Sequence, residues 1–337
     1  MSAEPRKHHY IPIFYQRRFA NSNGLLWVYD RLDKTYKELH PKSICFEKDL
    51  YAIKPKDQPR DRRIESNVLS KVDHWHAETI AAVVKAAPNP PSPEQLGSLA
   101  VFAAIQHTRV PSNSGMITAM YEAGANDMME LAFANIERAR MSLKRYERET
   151  GEELGISAES MMEAVKGERV KAVATEIPFL SGIGEHTGFM AKTFASLDWQ
   201  ILISPPQVGF ILSDNPVAVV PPPRSVAVGI LIPGTFTYVP LTRRLCVRLG
   251  KLGGRWEYRM IDRENVRYIN QNTAINSERF IMGPDLTQLT SIVRRSRCED
   301  MDGPPRFKIE KFVDADGGIL RKITYLPRNF IHTEDLD

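Results

Sequence analysis

Two adjacent histidines near the amino terminus are the clearest candidates for chemistry in this sequence. His8 and His9 lie within residues 6–19, RKHHYIPIFYQRRF, which also contain four cationic and four aromatic side chains. An imidazole exchanges protons near neutral pH, so it can act as a general acid or base or as a metal ligand. Adjacent side chains of an extended segment point to opposite faces, so we expect only one of the two to face a given site. The alternative is that both histidines pack or lie at the surface.

A second group of polar side chains ends a predicted core helix. Gln106 and Arg109 follow the apolar run 101–105, and their spacing of three places them on one face of the helix. Buried polar groups need partners. Arg109 could therefore clamp a phosphate or carboxylate as a fork, with Gln106 positioning the substrate. Equally, Arg109 could bond backbone carbonyls or pair internally.

A carboxylate follows the apolar run 209–212. Asp214 lies in the sequence Ser-Asp-Asn-Pro at 213–216. A strand end can fix a catalytic carboxylate rigidly while the adjoining loop exposes it, and Asp214 would then orient a histidine or bind a metal. The same four residues are typical of an ordinary turn, which the residue types alone favour.

Further candidates are expected to contact substrate. Asparagine is a poor former of helix interiors, so the four asparagines at 265, 270, 272 and 276 of one predicted helix indicate polar contacts inside the fold or with a ligand, unless they cap it or lie exposed. In the helix predicted from near residue 64, Trp75 is expected to lie in the stripe of apolar side chains that faces the core, and His76 is expected to face solvent. The predicted substrate contacts are Tyr15, Arg17, Arg18, Asn215 and Asn272.

Composition and charge limit the classes of protein. The chain has 337 residues, with 45 basic and 41 acidic ones, and this small excess does not by itself indicate nucleic acid. Three widely separated cysteines without a CxxC pair argue against a zinc knuckle and favour reduced thiols. No apolar run approaches the roughly 20 residues that span a bilayer. Walker, GxGxxG, GxSxG and HExxH motifs are absent. We expect a soluble, cytoplasmic protein with no membrane partner.

The periodicity of apolar residues predicts an α+β protein. The predicted elements are short strands within 25–53, a helix from near 64, a helix from Ser92 to about Arg109, one long helix over 114–150, helices at 158–173 and 184–196, strands at 199–203, 208–212, 226–232 and 245–249, and a terminal hairpin of 307–313 with 319–325. We expect one large domain over 1–337. It comprises a small N-terminal β element (1–60), a helical middle (61–196) and a mostly antiparallel, β-rich C-terminal part (197–337).

The same motifs resemble a known family. The run 8–19, Trp27–Arg31, Gln106–Pro111 and Ile211–Val217 occur in the order found in domain-of-unknown-function family 4238 (DUF4238), and the likeness spans nearly the whole chain. The resemblance implies an architecture but no activity, and it adds weight to the histidines, Gln106, Arg109 and Asp214. The sequence departs from the family's pattern at Asp73, where a glutamate would be expected in the helix after Glu65. This departure weakens any proposal that the two carboxylates act as a pair.

Two functional hypotheses follow. The first is a phosphodiester hydrolase of nuclease type, acting in defence or as a toxin, with His8 or His9 as acid/base and Arg109 neutralising charge on phosphate. A divalent metal is possible, because two histidines and Asp214 make three ligands. The second is a non-catalytic module that binds a protein or a small anion, with the same residues forming a structural network. A closed cluster around Arg109 would favour the second, and an open cleft lined by His9, Arg109 and Asp214 the first.

Overall fold

The computed structural model describes residues 7–48, 50–51, 69–173, 176–223, 225, 229–253, 257–298, 307–313 and 319–325. Helices and mostly antiparallel strands make up these residues, so the predicted α+β class is confirmed. The elements in chain order are β1 (Lys7–His9), α1 (Ile13–Arg17), β2 (Leu26–Asp30), β3 (Thr35–Leu39), a short 3-10 helix (Pro41–Ser43), β4 (Phe46–Lys48), α2 (Ser70–Ala86), α3 (Pro93–Thr108), α4 (Pro111–Ala132), α5 (Ile136–Thr150), α6 (Ala158–Lys166), α7 (Glu176–Ala195), β5 (Asp198–Ile203), β6 (Leu212–Ser213), β7 (Ala218–Val220), β8 (Phe236–Pro240), β9 (Leu245–Gly250), β10 (Glu257–Met260), α8 (Arg263–Asn276), β11 (Phe280–Gly283), α9 (Leu286–Arg295), β12 (Phe307–Val313) and β13 (Ile319–Tyr325).

A four-stranded sheet joins the two ends of the chain. Its order is β3-β2-β11-β6, and β11 lies antiparallel between β2 and β6. Val28 on β2 is opposite Met282 on β11, and both side chains are buried. A five-stranded sheet in the order β10-β5-β9-β8-β7 is antiparallel except for β10, which runs parallel to β5. Strand β1 pairs with β4 as a separate antiparallel ribbon.

The helical middle places the polar residues of α2 and α3 against the N-terminal strand. Helix α3 begins after Ser92 as expected, with a capping box in which the Ser92 hydroxyl accepts from the Gln95 N–H and the Gln95 side chain accepts from the Ser92 N–H. It ends at Thr108 with Arg109 as its C-cap, because Pro111 opens the next helix.

Several predicted elements differ in extent. The expected long helix over 114–150 is two helices, α4 and α5, because the Asn135 side chain accepts from the Arg138 N–H at 3.0 Å and starts a new helix. Helix α6 ends at Lys166 instead of 173, with Gly167 as its C-cap. The predicted strand over 226–232 lies partly outside the described residues, and 229–232 form no strand. The predicted terminal hairpin is β12 with β13.

A continuous hydrophobic cluster contains residues from all three parts of the chain. Tyr15 of α1 packs edge-on against Phe102 of α3, with ring centroids 5.0 Å apart. The cluster also includes Phe194, Trp199 and Val266. The proposed single domain stays a prediction that this continuity favours. Among the described helices, none has the length and apolar character needed to cross a membrane.

Candidate functional site

The paired histidines of β1 have different surroundings. His8 is fully buried; its Nδ1 accepts from the Tyr51 N–H at 3.0 Å, and its ring stacks on that of Tyr51. His9 is half-buried, with Nε2 3.3 Å from the Lys42 carbonyl oxygen and its ring tilted against Phe46. Of the two imidazoles, His9 is therefore the one that solvent reaches.

The surroundings of His9 keep its ring neutral. Burial lowers the pKa of His9, and the positive charges of Arg109 and Lys7 lower it further, whereas the bond to the Lys42 carbonyl and the negative charge of Asp73 oppose this. When Nε2–H donates to the Lys42 carbonyl, the proton sits on Nε2 and Nδ1 carries a lone pair. Such an imidazole can accept a proton near pH 7.

Arg109 is bound inside the protein. Its side chain is 1% exposed. Nη2 donates to the His9 carbonyl oxygen at 2.9 Å, Nε donates to the Tyr10 carbonyl oxygen, and Nη1 donates to Asp73 Oδ1 at 2.9 Å. The Tyr51 hydroxyl donates to the carbonyl oxygen of Arg109 itself at 3.3 Å. The guanidinium thus fixes β1 and α2 to the end of α3, and the cluster around it is closed.

Asp214 connects β6 to the residues that lead into β11. Its Oδ1 accepts from the Glu278 N–H at 2.8 Å, while Oδ2 accepts from the Arg279 and Phe280 N–H groups at 2.7 and 2.9 Å. The carboxylate is 2% exposed. These three backbone amides give Asp214 the role of a structural acceptor in this geometry.

The segments of Arg109 and Asp214 nevertheless lie side by side. Glu278 Oε1 accepts from the Ser112 N–H at 3.1 Å, which links the turn held by Asp214 to the start of α4. Burial raises the pKa of Tyr10, and the charges of Asp214 and Glu278 add to this, so Tyr10 lies near both. The histidine strand, the end of α3 and the segment of Asp214 therefore converge, as predicted. The Arg109 and Asp214 side chains, however, bind mainly backbone atoms of the protein.

Gln106 is fully buried, and neither its Oε1 nor its Nε2 has a hydrogen-bond partner in the described structure. It has no access to solvent from which to position a substrate. Tyr15 is also fully buried, and its hydroxyl donates to the Pro240 carbonyl oxygen. Arg18 is half-buried and donates to the Ala77 carbonyl oxygen at 3.0 Å, whereas Arg17 is exposed.

The predicted asparagines contact the fold itself. Asn270 donates to the Gly209 carbonyl oxygen at 2.9 Å and accepts from the Ile211 N–H at 3.0 Å. The backbone carbonyl of Asn215 accepts from the Asn276 side chain at 2.8 Å. Asn272 is fully buried and hydrogen-bonds Tyr268. Asn270 and Asn276 thus hold α8 against the residues around β6, whereas the bond of Asn272 lies within α8.

Two residues of α2, Asp73 and His76, have roles that the sequence did not predict. The expectation that Trp75 is in the core and His76 in solvent is wrong, since His76 is 0% and Trp75 41% exposed. The inward residues of α2 are His76, Thr79, Ile80 and Val83. The last three belong to the stripe that the apolar periodicity predicts, and His76 takes the inward place expected for Trp75. Asp73 lies one turn before His76, and it is the carboxylate that meets Arg109. The glutamate expected to accompany it, Glu65, lies outside the described residues.

Exposed lysines surround His9. Lys7 and Lys48 are opposite each other in the β1–β4 ribbon, and Lys7 Nζ lies 4.5 Å from the centroid of the Phe46 ring. Lys42 is exposed beside the carbonyl that His9 contacts. We call Lys7, Lys42 and Lys48 the lysine rim. Within the described part of the chain, no three histidine, cysteine or acidic side chains are grouped to hold a metal ion.

Fold and site together define an α+β protein whose N-terminal histidine strand is fixed to a central helix by a buried arginine. A family model described as a protein of unknown function, DUF4238, matches residues 7–286. The chain therefore belongs to the DUF4238 family, as its motifs indicated. No curated protein and no solved structure gave a significant match. The terminal hairpin lies beyond the matched region.

Proposed function

We propose that this chain is a phosphodiester hydrolase of nuclease type in which His9 is the general base. The observation that carries the proposal is the half-buried, neutral imidazole of His9 beside the Asp73–Arg109 pair. General-base catalysis requires an imidazole that is neutral at working pH and accessible to the reacting oxygen.

The lysine rim supplies the attraction for an anionic substrate. Lys7, Lys42 and Lys48 are exposed near His9, whereas the acidic Glu47 precedes Lys48 on β4 and is opposite the buried His8. Positive charges at a site raise the local concentration of phosphate groups and accelerate association. A nucleic acid is therefore the proposed partner.

Arg109 and Asp214 act as positioning residues in this proposal, because their hydrogen bonds hold β1 and the residues that lead into β11 in place. Gln106 is buried like both of them, so none of the three side chains touches phosphate. His8 is likewise buried and fixes Tyr51. Arg17 remains a candidate for contact with the nucleic acid because it is exposed, whereas Tyr15, Asn215 and Asn272 are buried.

The reaction consumes one water molecule. Nδ1 of His9 accepts a proton from the attacking water as its oxygen bonds to phosphorus and the bond from phosphorus to the leaving oxygen breaks. The leaving oxygen takes a proton from solvent water, and the His9 imidazolium returns its proton to solvent. The products are a phosphomonoester and an alcohol. The exposed lysine ammonium groups would neutralise the charge that develops on the phosphate oxygens.

A cytoplasmic role in defence or as a toxin completes the proposal. The three cysteines at 45, 246 and 298 are buried free thiols, which suits a reducing compartment. A nuclease of this kind would slow the growth of a host that expresses it. Wild type should be toxic on induction, and the double variant His8→Ala/His9→Ala should not.

Cleavage by the purified protein tests the activity. Labelled RNA and DNA are incubated with wild type, His8→Ala, His9→Ala and the double variant, with and without divalent cations. We expect cleavage by wild type and a loss of about 100-fold or more in His9→Ala, the usual range for removal of a general base. Cleavage that survives the loss of both histidines would refute the assignment.

A second candidate function is a non-catalytic module for anions or proteins. The specific observation in its favour is the closed cluster around Arg109, which is the outcome stated above as favouring this function over the hydrolase. Each of the three guanidinium nitrogens is bound to a carbonyl or carboxylate oxygen inside the fold. This module would bind an oligonucleotide or phosphate at the lysine rim and leave it intact. Binding measured together with cleavage, on the same wild-type preparation, separates the two functions.

A further inference from the structure

Two buried side chains between α2 and α3 lack protein partners. His76 and Gln106 are each 0% exposed. Neither ring nitrogen of His76 and neither amide atom of Gln106 has a hydrogen-bond partner in the described structure. Buried polar atoms without partners are rare in folded proteins, and each one requires an explanation.

The two side chains lie at the same level of the helix interface. Asp73 of α2 contacts Arg109, the C-cap of α3, and Thr79 of α2 contacts Ser98 of α3, which fixes the helices as antiparallel neighbours. His76 is one turn after Asp73, and Gln106 is one turn before Arg109. The His76 ring also packs edge-on against Phe102, one turn before Gln106.

The surroundings limit the size and charge of anything held there. Along the interface of α2 and α3, the Asp73–Arg109 ion pair lies to one side of His76 and Gln106, and Phe102 and the Thr79–Ser98 hydrogen bond, 2.8 Å long, lie to the other. Asp73 and Arg109 neutralise each other, and burial lowers the pKa of His76 to about 4, so the imidazole is uncharged at neutral pH. An uncharged group with both donors and acceptors matches this lining.

We propose that His76 and Gln106 form a buried binding site for one or two water molecules. A water molecule can accept from Gln106 Nε2–H, donate to Gln106 Oε1 or to one nitrogen of His76, and so satisfy atoms that the protein leaves without partners. Each of the two residues lies one helical turn from the Asp73–Arg109 ion pair that fixes β1. The site gives Gln106 a function as a water ligand in place of the substrate contact expected from its sequence position.

Water contact with the Gln106 amide tests the proposal directly. The protein is labelled with 15N-glutamine, and the Gln106 side-chain signal is assigned by its disappearance in Gln106→Met or, should that variant not fold, in Gln106→Asn. Rotating-frame Overhauser spectra then report contact between the amide protons and water. Gln200 is the matched control, because its amide donates to Glu257 at 2.7 Å and its oxygen accepts from Arg248 at 3.2 Å.

We expect water cross-peaks for Gln106 and none for Gln200. A double-substitution cycle provides the second measurement. His76→Leu and Gln106→Met should each lower the folding equilibrium constant by about fivefold or more, because the other residue and its water remain unsatisfied, and the double variant should lose less than the product of the two. Absent cross-peaks for Gln106, or strictly multiplicative losses, would overturn the proposal.

Discussion

The guanidinium of Arg109 binds the backbone of His9: Nη2 donates to the His9 carbonyl oxygen at 2.9 Å. The residue that ends α3 therefore holds the peptide group of the residue whose imidazole is the proposed base. Since Arg109 also bonds the Tyr10 carbonyl oxygen, the position of the His9 side chain depends on this arginine. A loss of Arg109 would affect both stability and activity.

Arg109→Lys should destabilise the protein although the substitution keeps the positive charge. A lysine ammonium cannot reproduce the planar fork that bonds two carbonyl oxygens and Asp73 together. We expect the free energy of unfolding to fall by about 3 kcal/mol, the size of the penalty for breaking a buried ion pair. Urea unfolding measures this, with Arg17→Lys at an exposed position as the control. Equal stability of the two variants would contradict the closed network.

Asp214→Asn separates a structural carboxylate from a catalytic one. Three backbone N–H groups donate to the Asp214 carboxylate. An asparagine loses the charge and places a donor NH₂ against some of these donors, so we expect about 2 kcal/mol less stability. Asp198→Asn, at a half-buried carboxylate on β5, is the comparison. If activity disappears while the unfolding free energy is unchanged, Asp214 acts in chemistry instead.

Burial of His76 should make the protein less stable in acid. The pKa of His76 is about 4 in the folded protein and 6.5 as the ordinary value, so between these values the unfolded chain binds more protons. Stability contributed by the neutral ring is present above pH 6.5 and is lost as the pH falls toward 4. The free energy of unfolding should drop by about 2 kcal/mol from this group between pH 7 and 4.5.

Removal of the His76 imidazole tests this pH dependence. His76→Leu should flatten the decline between pH 7 and 4.5, and His74→Leu, at an exposed position of the same helix, should leave it in place. Urea unfolding at several pH values gives both slopes. If the unfolding free energies of both variants decline equally steeply, a group other than His76 causes the decline.

The lysine rim should control affinity for nucleic acid. Lys7→Gln/Lys48→Gln should weaken the binding of a single-stranded oligonucleotide and reduce the slope of log K against log salt by about 0.7 for each lost phosphate contact. Lys192→Gln, at an exposed position on α7, is the control. Fluorescence anisotropy at several salt concentrations measures the slope. An unchanged slope would show that Lys7 and Lys48 do not contact the phosphates.

Local patterns in the sequence predicted local structure well. The start of α3 after Ser92 and its end near Arg109 depend on neighbouring residues, and both were predicted. The helix over 114–150 was not correctly divided, because Asn135 acts as an N-cap inside a run that otherwise has helical periodicity. In α2 the burial of Thr79, Ile80 and Val83 agrees with the apolar periodicity, but Trp75 and His76 were interchanged. Trp75 is the more apolar of the two side chains, yet it is His76 that packs against Phe102.

Long-range partners were beyond prediction from single motifs. The pairing of β2 with β11 joins residues about 250 positions apart, and nothing local in either strand specifies the other. Both alternatives for Arg109 and for Asp214 were open, because a buried cation or carboxylate has the same sequence signature whether its partner is backbone or ligand. Tertiary structure decided that these partners are the backbone of His9, Tyr10 and residues 278–280.

The pH–rate profile of oligonucleotide cleavage by wild type, His9→Gln and His74→Gln tests the central claim most directly. If His9 is the base, wild type and His74→Gln lose kcat/KM as the pH falls through the pKa of His9, which burial and neighbouring cations hold below its usual 6.5. His9→Gln should be about 100-fold slower and should lack this acidic limb. A His9→Gln variant that keeps both the rate and the limb, or a folded wild type that cleaves neither RNA nor DNA, would contradict the account.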